Sequence, residues 1–281
     1  KLFDTHTHFD VDEFDHDRLL LAQQAKAKGV QKLILIGLMQ SRFKDLLHTH
    51  QQMQPWAGQY DVPQSYLAPG LHPIYIEQHD KSHLDDLAQF LQQHSSIAIG
   101  EIGLDRFLPQ HKTAEMQHKQ QQFFQAQLVL AQQFDLPVLL HIRKAHGEVL
   151  SILKQQKFRN GGIAHAFSGG IEEAKAFIQL GFKLGITGQI TNPNAKKLRQ
   201  VVQTVGAEHL VIETDCPDMT PLCCQLESDM AQGKRTRNTP ANLPCVLRAL
   251  SEFLHIEQSQ LAEMVWHNSL QALHLSNEKH I

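Results

Sequence analysis

Two histidines one residue apart, His6 and His8, close a short run that begins with the apolar pair Leu2 and Phe3. An apolar start followed by short polar residues reads as the end of a buried strand. Side chains alternate faces along a strand, which puts His6 and His8 on one side with Asp4 beside them. Paired imidazoles at the mouth of a strand suit a divalent transition metal. Alone the pair is weak, because many such pairs are ordinary surface histidines. Its weight rises because five further donors follow apolar runs in the same way: His72, Glu101, His141, His165 and Asp215. Most of the 19 histidines do not share this setting. His48, His50, His79, His83, His94, His111, His118 and His280 sit in Gln-rich or charged stretches and read as solvated, and His146 and His267 read as structural.

One carboxylate between two groups of imidazoles is what a pair of divalent ions requires. Glu101 can bridge two ions about 3.5–4 Å apart, and a water between them loses a proton near neutral pH and becomes a nucleophile. Asp215 can ligate one ion and hold that water. His6, His8 and Asp215 come from the first and the eighth apolar runs, and Glu101, His141 and His165 from the fourth, fifth and sixth. The constellation predicts hydrolysis, and an imidazole-rich site suits Zn or Mn.

These donors need a scaffold that brings distant segments to one place. Besides the opening run, strand patterns occupy 32–37, 66–72, 97–103, 136–141, 162–165, 182–186 and 210–215. Helical patterns fill the intervals at 17–28, 41–53 (capped by Ser41), 83–94, 112–134, 145–155, 172–180 and 195–205, and two more at 241–254 and 258–273 finish the chain. In the Gln-rich segment 112–134, Met116, Phe123, Phe124 and Leu128 keep helical spacing, so the glutamines read as a polar outer face. Eight apolar strands, each followed by a helix, with no linker or internal break, predict an α/β single domain over 1–281, a (β/α)8 TIM barrel. Barrel active sites lie at the C-terminal ends of the strands, where the candidate donors stand.

At this point the chain resembles a known family. Asp4-Thr5-His6-Thr7-His8, Gly70-Leu71-His72-Pro73, Gly100-Glu101-Ile102-Gly103-Leu104-Asp105, His165-Ala166-Phe167-Ser168-Gly169 and Glu213-Thr214-Asp215-Cys216-Pro217 look, in order, like the TatD-type metal-dependent deoxyribonucleases. Those belong to the amidohydrolase superfamily of barrels. The likeness implies a two-metal phosphodiesterase on DNA, often working from the 3′ end, with Mg or Mn as the metal. It implies that His6, His8, Glu101 and Asp215 hold one ion and that Glu101, His141 and His165 hold the other. Catalysis then rests on Glu101 and Asp215, with His72 a substrate or supporting group. Many amidohydrolases bridge their metals with a carboxylated lysine, whereas the corresponding strand here ends in Glu101. The chain departs from the family's pattern at Leu71, Cys216, Arg106-Phe107 and Asn238-Thr239-Pro240, which bears on substrate choice and not on the ligands.

Phosphate contacts are expected from Arg143 and from Lys234, Arg235 and Arg237 in a basic segment past Asp215, with Lys144 and Arg106 extending the patch. Ser168-Gly169-Gly170 precedes a helix and could offer backbone N–H groups to an anion, although a plain turn explains it equally. Trp56, Tyr60, Tyr66 and Phe107 could stack on bases, with core packing the alternative. The 281 residues are 42% hydrophobic and 20% charged with a net charge of -3, which excludes a chain coated in basic surface, so DNA must meet a local patch. The four cysteines (Cys216, Cys223, Cys224 and Cys245) form no Cys-x-x-Cys pair and read as free thiols of a cytoplasmic, reducing setting, with the Cys223-Cys224 neighbours incidental. No membrane span, export leader or obligate protein partner is indicated. The same metal centre could instead hydrolyse a small amide, ester or lactone, and a degenerate, non-catalytic barrel ranks last because all six ligands are present.

Overall fold

The computed structural model describes residues 1–275; His280 and the end of the predicted domain lie outside the described residues. Eight strands run β1 (Leu2–Thr7), β2 (Val30–Ile36), β3 (Gln64–Ala68), β4 (Ile99–Asp105), β5 (Val138–Arg143), β6 (Gly162–Ala164), β7 (Phe182–Ile186) and β8 (Leu210–Ile212). Helices α1 (Arg18–Ala27), α2 (Phe43–Gln59), α3 (Ser82–Gln93), α4 (Ala114–Gln133), α5 (His146–Gln155), α6 (Ile171–Gln179) and α7 (Lys196–Val205) alternate with them. After β8 come α8 (Glu227–Ala231), α9 (Leu243–Leu254) and α10 (Gln258–Ala272).

Every strand pair is parallel, in two ladders, β1-β2-β3 and β4 through β8. Isolated backbone bonds close the two seams into a barrel. At the first, Ile97 N donates to Leu67 O (2.9 Å) and Gly100 N to Pro69 O (3.1 Å). At the second, Asp215 N donates to His6 O (2.9 Å) and His8 N to Cys216 O (2.9 Å). The second seam therefore carries candidate site residues, and the first ends beside Glu101. Glycines let the strand ends come this close. A Cβ on Gly70 would stand 2.6 Å from the carbonyl carbon of Gly100, and one on Gly37 2.4 Å from Gly70 N. Gly37 N consequently reaches Gly100 O (3.0 Å) while Gly37 O receives Glu101 N (3.0 Å), which pins Glu101 at the top of the barrel.

Alternation along the strands divides the apolar residues between two cores. Phe3, Ile34, Ile36, Ala68, Ala98, Leu139, Ile163 and Val211 fill the barrel interior. Leu33, Leu35, Leu67, Val138, Leu140, Leu184 and Ile212 face the helices. Each such side chain contributes about 1.5–3 kcal/mol when fully buried. Trp266 and Leu270 of α10 cover the interior layer from below, the Trp266 ring 6.0 Å from Phe3. Among the described residues no helix is long and apolar enough to cross a membrane.

Some sequence expectations need correction. Ser41 does not cap a helix; it lies in a 3-10 turn (Gln40–Arg42), and α2 follows with Arg42 at its cap and runs through Pro55 to Gln59. A helix tolerates a proline at the loss of one hydrogen bond when packing holds its other face, and Leu46 and Met53 supply that packing here. His79 and His111 are buried, not solvated, because helices lie over their polar surroundings. Asp4 does not share a face with His6 and His8. The register slips between Asp4 and Thr7, and the Asp4 carboxylate accepts from Thr214 N (2.9 Å) and Thr214 Oγ1 (2.7 Å).

Candidate metal centre

The two strands that carry His6 and Glu101 are both irregular where those residues stand. The four residues of β1 from Asp4 to Thr7 oppose three of β2 (Leu33 to Leu35), and the four of β4 from Ile99 to Ile102 oppose three of β5 (Val138 to Leu140). An extra residue of this kind re-aims side chains. Successive residues of β1 thus both serve the interior: Thr5 Oγ1 donates to Glu213 Oε2 (3.2 Å), and His6 Nε2 reaches Glu101 Oε2 (3.1 Å). Asp215 leaves β8 with a left-handed φ of 56°, an uncommon conformation for a residue with a Cβ and one that clusters at functional sites.

All six predicted ligands meet around two carboxylates. Glu101 Oε2 lies 3.1 Å from His6 Nε2 and 3.6 Å from His8 Nε2, and Asp215 Oδ1 lies 3.8 and 3.7 Å from the same two nitrogens. The other Glu101 oxygen, Oε1, lies 2.8 Å from His141 Nδ1. His165 stacks on His6 (3.4 Å between rings, 17°) and places Nε2 3.5 Å from Asp215 Oδ2. His141 and His165 therefore approach different carboxylates. Donor atoms bound to one ion at about 2.0–2.2 Å stand about 3–3.5 Å apart, so the spacing around Glu101 and Asp215 suits a cation. His6, His8 and Glu101 form one group able to hold an ion, as do His6, His165 and Asp215, and His72, Glu101 and His141.

His72 is separated from the ligands by its tautomer. Its Nδ1 accepts from Ile74 N (2.9 Å), so Nε2 carries the proton and points at Glu101 Oε2 (3.2 Å) as a donor. Burial pushes His72 down to about 4, so it stays neutral. Glu101 behaves oppositely. Burial alone would raise its carboxyl, but His72, His6 and His165 outweigh it and hold the carboxyl well below the ordinary range. Asp215 is likewise lowered: burial opposes it, and His165, His6 and His8 prevail.

Two acids that sequence reasoning left without a role complete the centre. Asp105 Oδ2 lies 2.9 Å from His141 Nε2, and against the cost of burial Asp105 and Glu101 lift His141 to about 9. Glu213, fully buried, accepts from Ala166 N (2.7 Å) and stands 2.8 Å from His165 Nδ1, without hydrogen-bond alignment. Such partners fix the orientation of ligating imidazoles. Period-two spacing pointed to both: Asp105 is four residues past Glu101, and Glu213 two before Asp215. β4 and β5 also run on to pair Asp105 with Arg143, so Glu101 and His141 lie inside the mouth and not at the strand ends.

Above the carboxylates opens a cavity of about 570 Å³, lined by His8, His72, Glu101, His141, His165 and Asp215, with Tyr75, Arg143, Ser168, Glu13 and Asp218 at its sides. Arg143 stacks on Phe107, 3.7 Å from the ring centre, and Lys144 approaches the same ring (4.9 Å). Arg106 does not extend this patch. It is drawn inward to Glu148 (2.6 and 3.0 Å) and Gln120 (2.8 Å). Arg235 is paired with Asp218 and Glu13, and Arg237 with Asp17, while the Lys234 side chain is exposed. Tyr66 packs on Phe3 at the far end of the barrel, and Trp56 lines a different groove. The Gly170 N–H is taken by Glu173 Oε2 (2.6 Å), which leaves less of that turn for an anion.

Comparison with known proteins agrees with this geometry. Residues 3–274 match the family described as TatD related DNase. An uncharacterized metal-dependent hydrolase of Haemophilus influenzae is 34% identical over 273 residues, 96% of this chain and 98% of that protein. A 3'-5' ssDNA/RNA exonuclease TatD of Pantoea sp. is 28% identical, over 98% of this chain and 100% of the relative. The crystal structure of YjjV, a TatD homolog from Escherichia coli K12, superposes with a TM-score of 0.83 at 32% identity, covering 96% of this chain and 97% of the other. The chain therefore belongs to the TatD-related DNase family of metal-dependent hydrolases.

Proposed function

We propose that this single-domain barrel is a nuclease that hydrolyses DNA phosphodiester bonds with two divalent cations of the Mg, Mn or Zn class. The observation that carries the reading is Glu101, with one oxygen facing His6 and His8 and the other facing His141, on the floor of an open cavity. His6, His8, Glu101 and Asp215 would hold one ion, and Glu101, His141 and His165 the other, although His165 here approaches Asp215 and not Glu101. When bound, the ions supply Lewis acidity at a phosphoryl oxygen and make a water acidic near neutral pH. Asp215, mostly buried but lining the cavity and kept ionised by His165, His6 and His8, is the base that takes the proton of the attacking water. His72, neutral with its Nε2 proton directed at Glu101 Oε2, lines the cavity and orients the Glu101 carboxylate beside the substrate. Arg143, held flat on Phe107, meets a flanking phosphate at the cavity wall.

The Pantoea relative's name, an exonuclease of single-stranded DNA and RNA, supports a single-stranded polymer. Four free cysteines support a reducing, cytoplasmic setting. One observation favours a second reading, hydrolysis of a small amide, ester or lactone: Arg235 and Arg237 are already neutralised by Glu13, Asp17 and Asp218. A metal-supplemented screen of single- and double-stranded DNA, RNA, small phosphodiesters and small carboxylic esters, beside Glu101→Ala, separates the two. Metal-dependent release of nucleotides that vanishes in Glu101→Ala supports the nuclease. Turnover of small esters with none of any phosphodiester would refute it.

A further inference from the structure

Away from the catalytic cavity, three of the four cysteines converge. Cys223 and Cys224 end the 3-10 turn Leu222–Cys224, and Cys245 lies in the first turn of α9. Cys224 Sγ is 3.2 Å from Cys245 Sγ and 3.9 Å from Cys223 Sγ, and all three sulfurs lie within 4.8 Å of one another. A disulfide would require about 2.05 Å between two sulfurs and would leave the third without a purpose. Three sulfurs bound to one zinc-like ion at about 2.3 Å stand about 3.8 Å apart. The Arg248 guanidinium lies 3.8 Å from both Cys223 Sγ and Cys245 Sγ, where it offsets the excess negative charge that three thiolates leave on a divalent ion.

We propose that Cys223, Cys224 and Cys245 form a second metal site, a three-thiolate site for a thiophilic cation of the Zn2+ class with its fourth position open to solvent. The site shares no residue with the catalytic cavity; it borders a separate groove lined by Arg199, Arg248, Phe253 and His255. Binding releases the thiol protons and leaves three metal–sulfur bonds, so no oxidant or reductant is needed. Its consequence is mechanical. The ion ties the two ends of the segment 225–244, which carries Lys234, Arg235 and Arg237, and Asn238, whose Nδ2 donates to Thr214 O and Asp218 O (2.8 Å each). The staple therefore sits at the root of the segment that flanks the catalytic mouth.

Cd2+ tests this, because a thiolate-to-cadmium charge-transfer band reports sulfur ligation and the nitrogen and oxygen donors of the catalytic centre give none. The full chain, reduced and kept in excess Mg2+, should take up one equivalent of Cd2+ with this band. Glu101→Ala should show the same band at the same stoichiometry. Cys223→Ser, at an exposed position where folding is safe, and Cys245→Ser should each weaken Cd2+ uptake by more than about 100-fold. Absence of the band in the reduced wild-type chain would overturn the proposal. So would its persistence in both serine variants, or protein isolated with Cys224 and Cys245 joined as a disulfide that, once reduced, takes up no Cd2+.

Discussion

His79 offers a test of how His72 is held. It is buried, stacks on Phe123 (5.6 Å between rings), and its Nε2 donates to the backbone carbonyl of His72 (2.9 Å). Its Nδ1 has no hydrogen-bond partner, so a second proton would enter an apolar surround. Burial accordingly pushes it down to about 4 from 6.5, against the opposing bond to His72. Because the folded value lies below the unfolded one, the unfolded chain binds more protons as the medium acidifies. The contribution is present above about pH 6.5 and is lost as pH falls toward about 4. Between about pH 7.5 and pH 5 the loss from this one residue is about 2 kcal/mol, and about 1.6 kcal/mol if the folded value is one unit higher. His79→Gln can keep the bond to His72 but cannot titrate. Urea unfolding of chelator-treated protein at the two pH values should therefore show the wild type losing about 1.5–2 kcal/mol more than the variant. Equal losses would mean that His79 is protonated in the fold and that its burial does not govern the support of His72.

Glu101→Gln and Glu101→Ala should leave the fold intact but weaken metal binding and lower hydrolysis by more than about 100-fold, since loss of even an outer partner of a ligand costs about 10–100-fold. Asp215→Asn should retain partial metal occupancy with a comparable fall in rate; elemental analysis beside initial rates checks both. Replacing Lys234, Arg235 and Arg237 together with Ala should weaken DNA binding and flatten its salt dependence by about 0.9 for each phosphate no longer neutralised, while turnover of a small chromogenic phosphodiester is spared; equal damage to both substrates would assign the segment to support of the centre. Gly70→Ala should destabilise the barrel by about 1–3 kcal/mol in urea unfolding, because its Cβ meets the Gly100 backbone at 2.6 Å.

The sequence by itself determined the scaffold and the donors. Eight apolar runs separated by helical spacing leave a closed parallel barrel as the arrangement that buries them, since a parallel strand needs a helix on its outer face and closure removes the edges. The barrel's direction places whatever follows each strand at one end, so His6, His8, His72, His165 and Asp215 could be named from their position in the chain. Aim and pairing were decided by the tertiary structure. Alternation predicts that Asp4 joins His6, but the extra residue in β1 turns Asp4 to Thr214 and brings Thr5 and His6 both inward. The proton on His72 Nε2, which makes it a donor and not a ligand, depends on a backbone N–H two residues on. Arg106, Arg235 and Arg237 read as one basic patch in the sequence, yet charge alone does not say whether a nearby carboxylate already holds it. Glu148, Glu13, Asp17 and Asp218 come from separate stretches of the chain and are brought to those guanidinium groups only by folding. The same holds for sulfur. Cys223 and Cys224 stand far in sequence from Cys245, and only the return of α9 against the turn that precedes it sets the three side by side.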